Sequence, residues 1–450
     1  MGKNMMKLKN KKVLVLGFSL SGKAVAHYLA KKDCKVFITE KREQKPEDEK
    51  EIKELENLGV KIEFGGHSEK FTSDVDFAVV SPSFPLDNEL YIRLKNEGVD
   101  IISEPDLAYL ESDTPFISIT GTNGKTTTTA LTSHILSTQF KAPECGNIGK
   151  PPIALINDKP DYFVCEISSY QAEHSKYLKS KIACWTNFTP DHITWHGTIE
   201  NYFNAKAKLF EVNELEYAIL NGNDEKLLEF GDKSKGVVYF FDKETDNSSY
   251  IKNNAIYFKK DRIEEKIIDL KDCPLVGHHN YQNIMCGVII AKLVGITNEN
   301  IRSAIMSFKA PEHRLEKVRE YNGITFYNDS KATNPEAAIV AIDSFNNQNV
   351  VLIAGGRDKL TDLKAFCESV NKHITTTILI GEATERFEKN MQNNGFSSII
   401  KESSLESAID KSIELKPDVV LLSPACASFD MFTGYEERGK VFKDYVLSKR

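Results

Sequence analysis

Residues 116–129 constrain the fold of this chain more than any other segment. The alternating, β-branched run Phe116-Ile117-Ser118-Ile119 leads directly into Thr120-Gly121-Thr122-Asn123-Gly124-Lys125-Thr126-Thr127-Thr128-Thr129. A strand that feeds such a loop and then a helix start is the layout of a phosphate-binding loop in an α/β fold. The two glycines let the backbone curl so that several N–H groups point inward, Lys125 adds a mobile cation, and the Thr126 hydroxyl suits Mg²⁺. The following helix presents its positive N-terminal end to the same anion. The loop is shorter than the general G-x-x-x-x-G-K-[ST] pattern, because position 119 is Ile and Gly121 stands only three residues before Gly124. A Gly-Asn turn that merely started a helix would not require Lys-Thr here.

The rest of the chain must support that unit. At 450 residues it is too long for one core, and its length suggests about three domains. Hydrophobic residues at 41% and charged residues at 27% are those of a globular protein. A net charge of −7 argues against a nucleic-acid partner. Eight cysteines lie scattered without a C-x-x-C pair, so neither a disulfide scaffold nor a zinc knuckle is expected, and a reducing, cytoplasmic location is. The lysine-rich start, the apolar run Val13 to Leu20 and Ala24-Val25-Ala26 imitate a secretory signal, but Gly17, Ser19, Ser21 and Gly22 interrupt it. No run approaches the ~18 apolar residues of a membrane span. Met6 stands where a myristoylation site needs Ser or Thr.

Three blocks emerge, with expected limits 1–102, 103–309 and 310–450. The first opens as a βαβ unit: strand Val13 to Leu16, turn Gly17-Phe18-Ser19-Leu20-Ser21-Gly22, a helix, and strand Val36 to Thr39 ending at Glu40. The turn resembles a dinucleotide fingerprint with its middle glycine lost, and Glu40 lies near the ~20-residue spacing of a ribose-binding acid. A turn holding another nucleotide, or a purely structural one, fits better than NAD. The second block carries the phosphate loop and two segments, 162–169 and 185–192, that read as strands delivering polar residues at their C-terminal ends, where open α/β sheets bind ligands. Residues 214–272 read as a strand-rich excursion without a functional assignment. The third alternates buried strands (Val350 to Ala354, Thr377 to Ile380, Val419 to Leu422) with amphipathic stretches, which means another parallel sheet.

Glu166, ending an apolar strand, is the hard-oxygen candidate for a metal beside the loop. His192 and His196 stand four apart, as a zinc pair on a helix would, but Pro190 and Gly197 favour a loop or short helix. His192 follows an acid and closes a strand, which makes it a ligand-site candidate, and His196 has a structural or substrate role. Lys206 lies on a helical stretch with aromatic neighbours. A lysine kept partly neutral by burial can add CO₂ and become an anionic carbamate, although composition alone does not select that option.

Taken together, these motifs resemble the Mur ligase family of ATP-dependent amide-bond-forming enzymes. The likeness runs from the 120–127 loop through Gly146-Asn147-Ile148-Gly149, Glu166-Ile167-Ser168-Ser169, Asp191-His192, Lys206, His279-Asn280-Tyr281-Gln282-Asn283, His313-Arg314 and Asn328-Asp329-Ser330-Lys331-Ala332-Thr333-Asn334. The 17–22 turn with Glu40 and the segment 422–432 most resemble the branch that adds D-glutamate to UDP-N-acetylmuramoyl-L-alanine. Ser19 replaces a glycine often found in this turn, and Glu40 an Asp. Three α/β domains are implied: an N-terminal Rossmann-like sheet for the UDP-sugar, a central P-loop sheet for ATP, and a C-terminal Rossmann-like sheet for the amino acid.

The resemblance also implies roles. Gly121, Thr122, Asn123, Gly124, Lys125, Thr126 and Thr127 would hold the ATP phosphates, with Asn280 and Asn283 near adenine and Arg314 and Asp329 near ATP. Lys125, His192, Lys206 and Lys331 would be catalytic. Thr126 and Glu166 would hold one Mg²⁺, and His192 and carbamylated Lys206 a second. Leu20, Ser21, Glu40 and Lys41 would lie near uridine, Asn147 and Ser168 near the muramoyl group, and Thr333, Lys359, Ser428 and Phe429 around D-glutamate. An acyl-phosphate intermediate, closure of the third block over the second, and a monomer are expected. The alternatives are a related ligase for another amino acid and a nucleotide-dependent binding protein.

Overall fold

The computed structural model describes residues 7–275, 277–309, 312–345, 348–358 and 360–449. Its strands form three sheets, each dressed with helices, in a three-domain α/β fold.

The first sheet is wholly parallel. Lys12–Leu16 lies at its centre, between Lys35–Glu40 and Phe77–Val80, with Lys61–Phe64 and Asp100–Ser103 at the edges. Successive residues of the central strand enter different clusters, Val13 and Val15 on one face and Leu14 and Leu16 on the other. That two-sided burial is why the strand reads as an unbroken apolar run. The order reverses at the central strand, so the turn after it, Gly17–Gly22, opens at a topological switch point. Lys61–Phe64 escapes the sequence reading because its residues are exposed or half-buried and carry charges.

Among the described residues the second sheet has nine strands, with Phe116–Thr120 between Phe163–Glu166 and Ile182–Trp185. Residues 217–269 extend it: Tyr217–Asn221, Val237–Phe241 and Ser248–Lys252 add in parallel, then Ala255–Lys260 and Ile263–Asp269 fold back as antiparallel neighbours. The strand-rich excursion is thus a sheet extension. Buried Asp106 fastens the start of this block: its carboxylate accepts from the N–H groups of Ser103, Lys176, Tyr177 and Leu178 and from the Ser175 hydroxyl, at 2.7–3.0 Å.

The third sheet runs Glu316–Tyr321, Ile324–Asn328, Val419–Leu422, Val350–Gly355, Thr376–Ile380, Ile399–Lys401, parallel except for its antiparallel first strand. Val350, Leu352 and Ala354 pack on one side, Val351 and Ile353 on the other. Two compact units result, 1–273 with 282–308, and 274–281 with 309–450. Among the described residues no helix is long and apolar enough to cross a membrane.

Candidate active site

The strand Phe116–Thr120 is buried throughout, and the chain turns out of it at Gly121 (φ +145°) and into the helix Lys125–Leu136 at Gly124 (φ +80°). Both glycines are required by space as well as by φ. A Cβ would stand 2.0 Å from Thr186 Oγ1 at Gly121 and 2.7 Å from Asn283 Oδ1 at Gly124. The loop after Ile182–Trp185 clamps the phosphate loop. Asn187 Oδ1 accepts from Asn123 N–H (2.8 Å), its backbone carbonyl accepts from Thr122 N–H (3.1 Å), and the Thr186 hydroxyl donates to the Asn123 carbonyl (2.5 Å). Thr122 Oγ1 donates to the Thr189 carbonyl (3.0 Å) and lies 3.1 Å from the Tyr202 hydroxyl. Lys125 folds back, its ammonium donating to the carbonyls of Gly121 (2.9 Å) and Thr122 (2.7 Å). Thr126 and Thr127 lie buried in the first helical turn.

Lys206 reaches the same loop from the helix Ile199–Ala207. Trp185 holds that helix against the sheet, packing on Phe203 at 4.9 Å and on Phe210 at 5.3 Å between ring centroids. The Lys206 side chain is buried, with Nζ donating to the Gly121 carbonyl (2.8 Å) and lying 4.8 Å from the Tyr202 ring centroid. Burial, reinforced by the Lys125 charge, pushes its pKa well below the usual lysine value, against the pull of Asp191 and Glu166. Glu166, 1% exposed at the end of its strand, accepts from the Asn147 amide through Oε1 (2.8 Å). Its Oε2 is buried and has no hydrogen-bond partner among the described residues. An uncompensated buried carboxylate oxygen is costly, and beside a phosphate loop it suits a hard cation.

His192 sits in the left-handed region (φ +53°) at the start of the short helix Ile193–His196, exposed, with Nδ1 3.1 Å from the Tyr170 hydroxyl and Nε2 3.4 Å from Asp191 Oδ2. His196 is buried against the Ser169 hydroxyl (Nε2, 3.0 Å) and faces Glu173, a structural tie between helices. Ser168 caps the helix Ser169–His174, its hydroxyl accepting from Gln171 N–H (3.2 Å). Asn283 is buried, accepting from Thr128 (3.0 Å). Asn280 is buried on the same helix, His278–Leu293.

At the N-terminal turn, Glu40 Oε2 accepts from Phe18 N–H (2.8 Å) and Oε1 from Arg42 N–H (3.1 Å). Ser19 Oγ lies 2.8 Å from Ser81 Oγ and accepts from Gly22 N–H, so the residue in the lost glycine's place caps the helix Leu20–Ala30. Leu20 is 64% exposed, and Ser21 is half-buried beside it. Lys41 lines a cavity of about 710 Å³ with His67, Pro85, Asn88 and Arg93, a volume within the range of ligand pockets.

In the C-terminal unit Asp329 is buried after the strand Ile324–Asn328. It accepts from Leu315 N–H (3.1 Å) and the Ser423 hydroxyl (2.8 Å), and burial raises its pKa to about 7 against the pull of Arg314 and Arg438. Lys331 donates its N–H to the His313 carbonyl (3.0 Å), with Nζ 5.4 Å from the Tyr435 ring centroid. Thr333 is half-buried next in the loop. Ser428 is buried and Phe429 is 65% exposed. Lys359 lies outside the described residues. Buried Arg438, absent from the sequence reading, joins the two loops by donating to Ser330 Oγ (2.9 Å) and to the Cys426 carbonyl (3.2 Å).

The structure thus gathers the phosphate loop, Glu166, Asn147, Lys206 and Asn283 around one strand end. Sequence reasoning missed Asn187, Thr186 and Tyr202 as the loop's scaffold, although 185–192 stood out as a polar strand end.

Residues 11–103 match the Mur ligase MurD-like N-terminal domain, 119–291 the Mur ligase middle domain, and 313–426 the Mur ligase, glutamate ligase domain. The chain is 38% identical over 455 residues to a protein of Thermoanaerobacter sp. (strain X514) named UDP-N-acetylmuramoylalanine--D-glutamate ligase, covering 99% of this chain and 100% of that one. A protein of the same name from Clostridioides difficile (strain 630) is 37% identical over 455 residues, at 98% and 99% coverage. Among solved structures, the UDP-N-acetylmuramate-alanine ligase MurC of Thermotoga maritima has a TM-score of 0.61 at 18% identity, covering 97% of this chain and 100% of its own. The MurF ligase of Thermotoga maritima in complex with ADP has a TM-score of 0.59 at 15% identity, covering 99% and 100%. At those identities the two structures establish the shared fold.

Proposed function

The chain belongs to the Mur ligase family, and from that premise we propose that it is an ATP-dependent ligase adding D-glutamate to UDP-N-acetylmuramoyl-L-alanine in cytoplasmic peptidoglycan precursor synthesis, acting as a monomer. The end-to-end likeness to proteins named for that reaction supports the substrates. One observation carries the chemistry: a buried lysine biased toward its neutral form and a carboxylate with a buried, unpartnered oxygen both border the phosphate loop.

In this reading a carboxylate oxygen of the UDP-sugar substrate attacks the γ-phosphorus of ATP and ADP leaves. The D-glutamate nitrogen then attacks the acyl carbon, phosphate departs with that oxygen, and the nitrogen loses a proton. Lys125 and the loop N–H groups stabilise charge on the β- and γ-phosphates. Thr126 and Glu166 would hold one Mg²⁺, and His192 and carbamylated Lys206 a second. Bound there, Mg²⁺ would neutralise charge on the transferring phosphoryl group. Lys206 suits carbamylation because a neutral amine is the form that adds CO₂, losing a proton as the N–C bond forms. Carbon-13 bicarbonate labelling read by NMR tests it, with a carbamate resonance expected in the native chain and absent in Lys206→Met.

The C-terminal unit supplies Arg314, Asp329 and Lys331 toward ATP, and Thr333, Lys359, Ser428 and Phe429 toward D-glutamate. Leu20, Ser21, Glu40 and Lys41 take the uridine end, Asn147 and Ser168 the muramoyl group, and Asn280 and Asn283 adenine. The working domain limits are 1–102, 103–309 and 310–450.

The deciding experiment follows ADP release with Mg²⁺, ATP, bicarbonate and UDP-N-acetylmuramoyl-L-alanine against D-glutamate, L-glutamate, L-lysine and diaminopimelate. Release that depends on D-glutamate, with a product heavier by one glutamyl unit, is expected. Release with another amino acid would move the specificity, and no turnover despite ATP binding would favour a binding protein.

A further inference from the structure

A second cavity of about 470 Å³ runs along the flank of the helix Leu20–Ala30, where that helix meets the short helix Pro152–Leu155. Apart from Leu20 at its near end, none of the residues given roles above lines it. Residues 20, 24, 28 and 31 recur at helical spacing on its wall, so the cavity follows the length of the helix away from the Gly17–Gly22 turn.

Its chemistry is asymmetric. Ala24, Tyr28, Ile153 and Ala154 supply an apolar body. Around them stand Lys23, Lys31, Lys32 and Lys150, against a single lining carboxylate, Glu51. That carboxylate is already engaged by His27 Nε2 at 2.7 Å. Among the described residues none of the four lysines forms an ion pair. Lys32 and Lys23 instead hold their ammonium groups 5.2 Å from the Tyr28 ring centroid and 4.8 Å from that of Phe18. Lysines 31 and 32 also complement the negative C-terminal end of the helix, but that accounts for neither Lys23 nor Lys150. In a chain of net charge −7, four lysines around one cleft outnumber the acidic groups beside it, Glu51 with Glu54 next to it and Asp48 within electrostatic reach of Lys23, and such a field raises the local concentration of anions.

We infer that this cleft is a binding site, separate from the phosphate loop, for a small molecule with an apolar body and a phosphate or carboxylate head. The volume lies within the range of small-molecule sites. The body would lie over Tyr28 and Ile153, and the head among the lysines. Its two walls lead directly to the N-terminal turn and to the Gly146–Lys150 segment, where Asn147 holds Glu166.

The test uses 1-naphthyl phosphate as probe and the full-length protein, titrated by fluorescence, so it does not depend on ligase activity. Saturable one-site binding is expected. The double variant Lys31→Glu/Lys32→Glu should weaken it at least tenfold, and Ala154→Trp, which fills the cleft, should abolish it, both with wild-type melting temperatures. Inorganic phosphate and 1-naphthol should each bind at least tenfold more weakly than the probe. The inference is overturned if the wild type does not bind, if correctly folded variants bind as the wild type does, or if a non-hydrolysable ATP analogue displaces the probe.

Discussion

Gly121 and Gly124 show how single positions shape the loop, since each combines a positive φ with a neighbour inside contact distance. Gly124→Ala should cost ~1–2 kcal/mol in backbone strain and also push the loop off Asn283, so affinity for a fluorescent ATP analogue is expected to fall at least about tenfold, against ordinary active-site effects of that order or more. Gly59→Ala is the control, because φ there is +84° but nothing lies within 4 Å, so it should carry strain alone and leave affinity unchanged. Equal affinity in both variants would refute the account of the loop. Lys206→Met keeps the buried stem and removes the nitrogen. Turnover should drop at least ~100-fold while the melting temperature holds or rises, since an apolar group replaces a desolvated amine. Retained turnover would remove Lys206 from the mechanism.

Among the elements, the helix Glu104–Leu110 carries a pH dependence. Glu104 is buried, accepting from Ile153 N–H at 2.8 Å, with Oε2 unpartnered, and burial raises its pKa from 4.5 to about 8. A carboxyl that keeps its proton in the folded state and loses it in the unfolded state makes stability fall as pH rises from 4.5 to about 8, then level off. Glu104→Gln should flatten that slope in melting temperature measured across the window. An unchanged slope would assign it to other groups. Strands buried on both faces, such as Lys12–Leu16 and Val350–Gly355, were legible in the sequence as apolar runs. Edge strands such as Lys61–Phe64 and Glu316–Tyr321 were not, because charged, half-exposed residues have no apolar periodicity to display.

For the molecule as a whole, the phosphate loop and the residues assigned to the amino acid belong to different compact units. Chemistry that joins ATP, UDP-sugar and D-glutamate requires them to meet with water excluded. Small-angle scattering should therefore show a smaller radius of gyration with a non-hydrolysable ATP analogue, UDP-N-acetylmuramoyl-L-alanine and D-glutamate than without. Identical profiles would count against closure.

The sequence by itself determined the phosphate loop, the three-block α/β plan and the family, because these rest on local patterns: glycines at special φ, a strand-end acid, apolar runs of fixed period. Only the tertiary structure decided what the loop leans on. Asn187 and Thr186 clamp it from a neighbouring strand, Trp185 and its aromatic neighbours hold the helix that buries Lys206, and the Asn147 amide leaves Glu166 with one uncompensated oxygen. Burial and the shifts in proton affinity that follow from it arise from segments distant in the chain, so no window of sequence contains them.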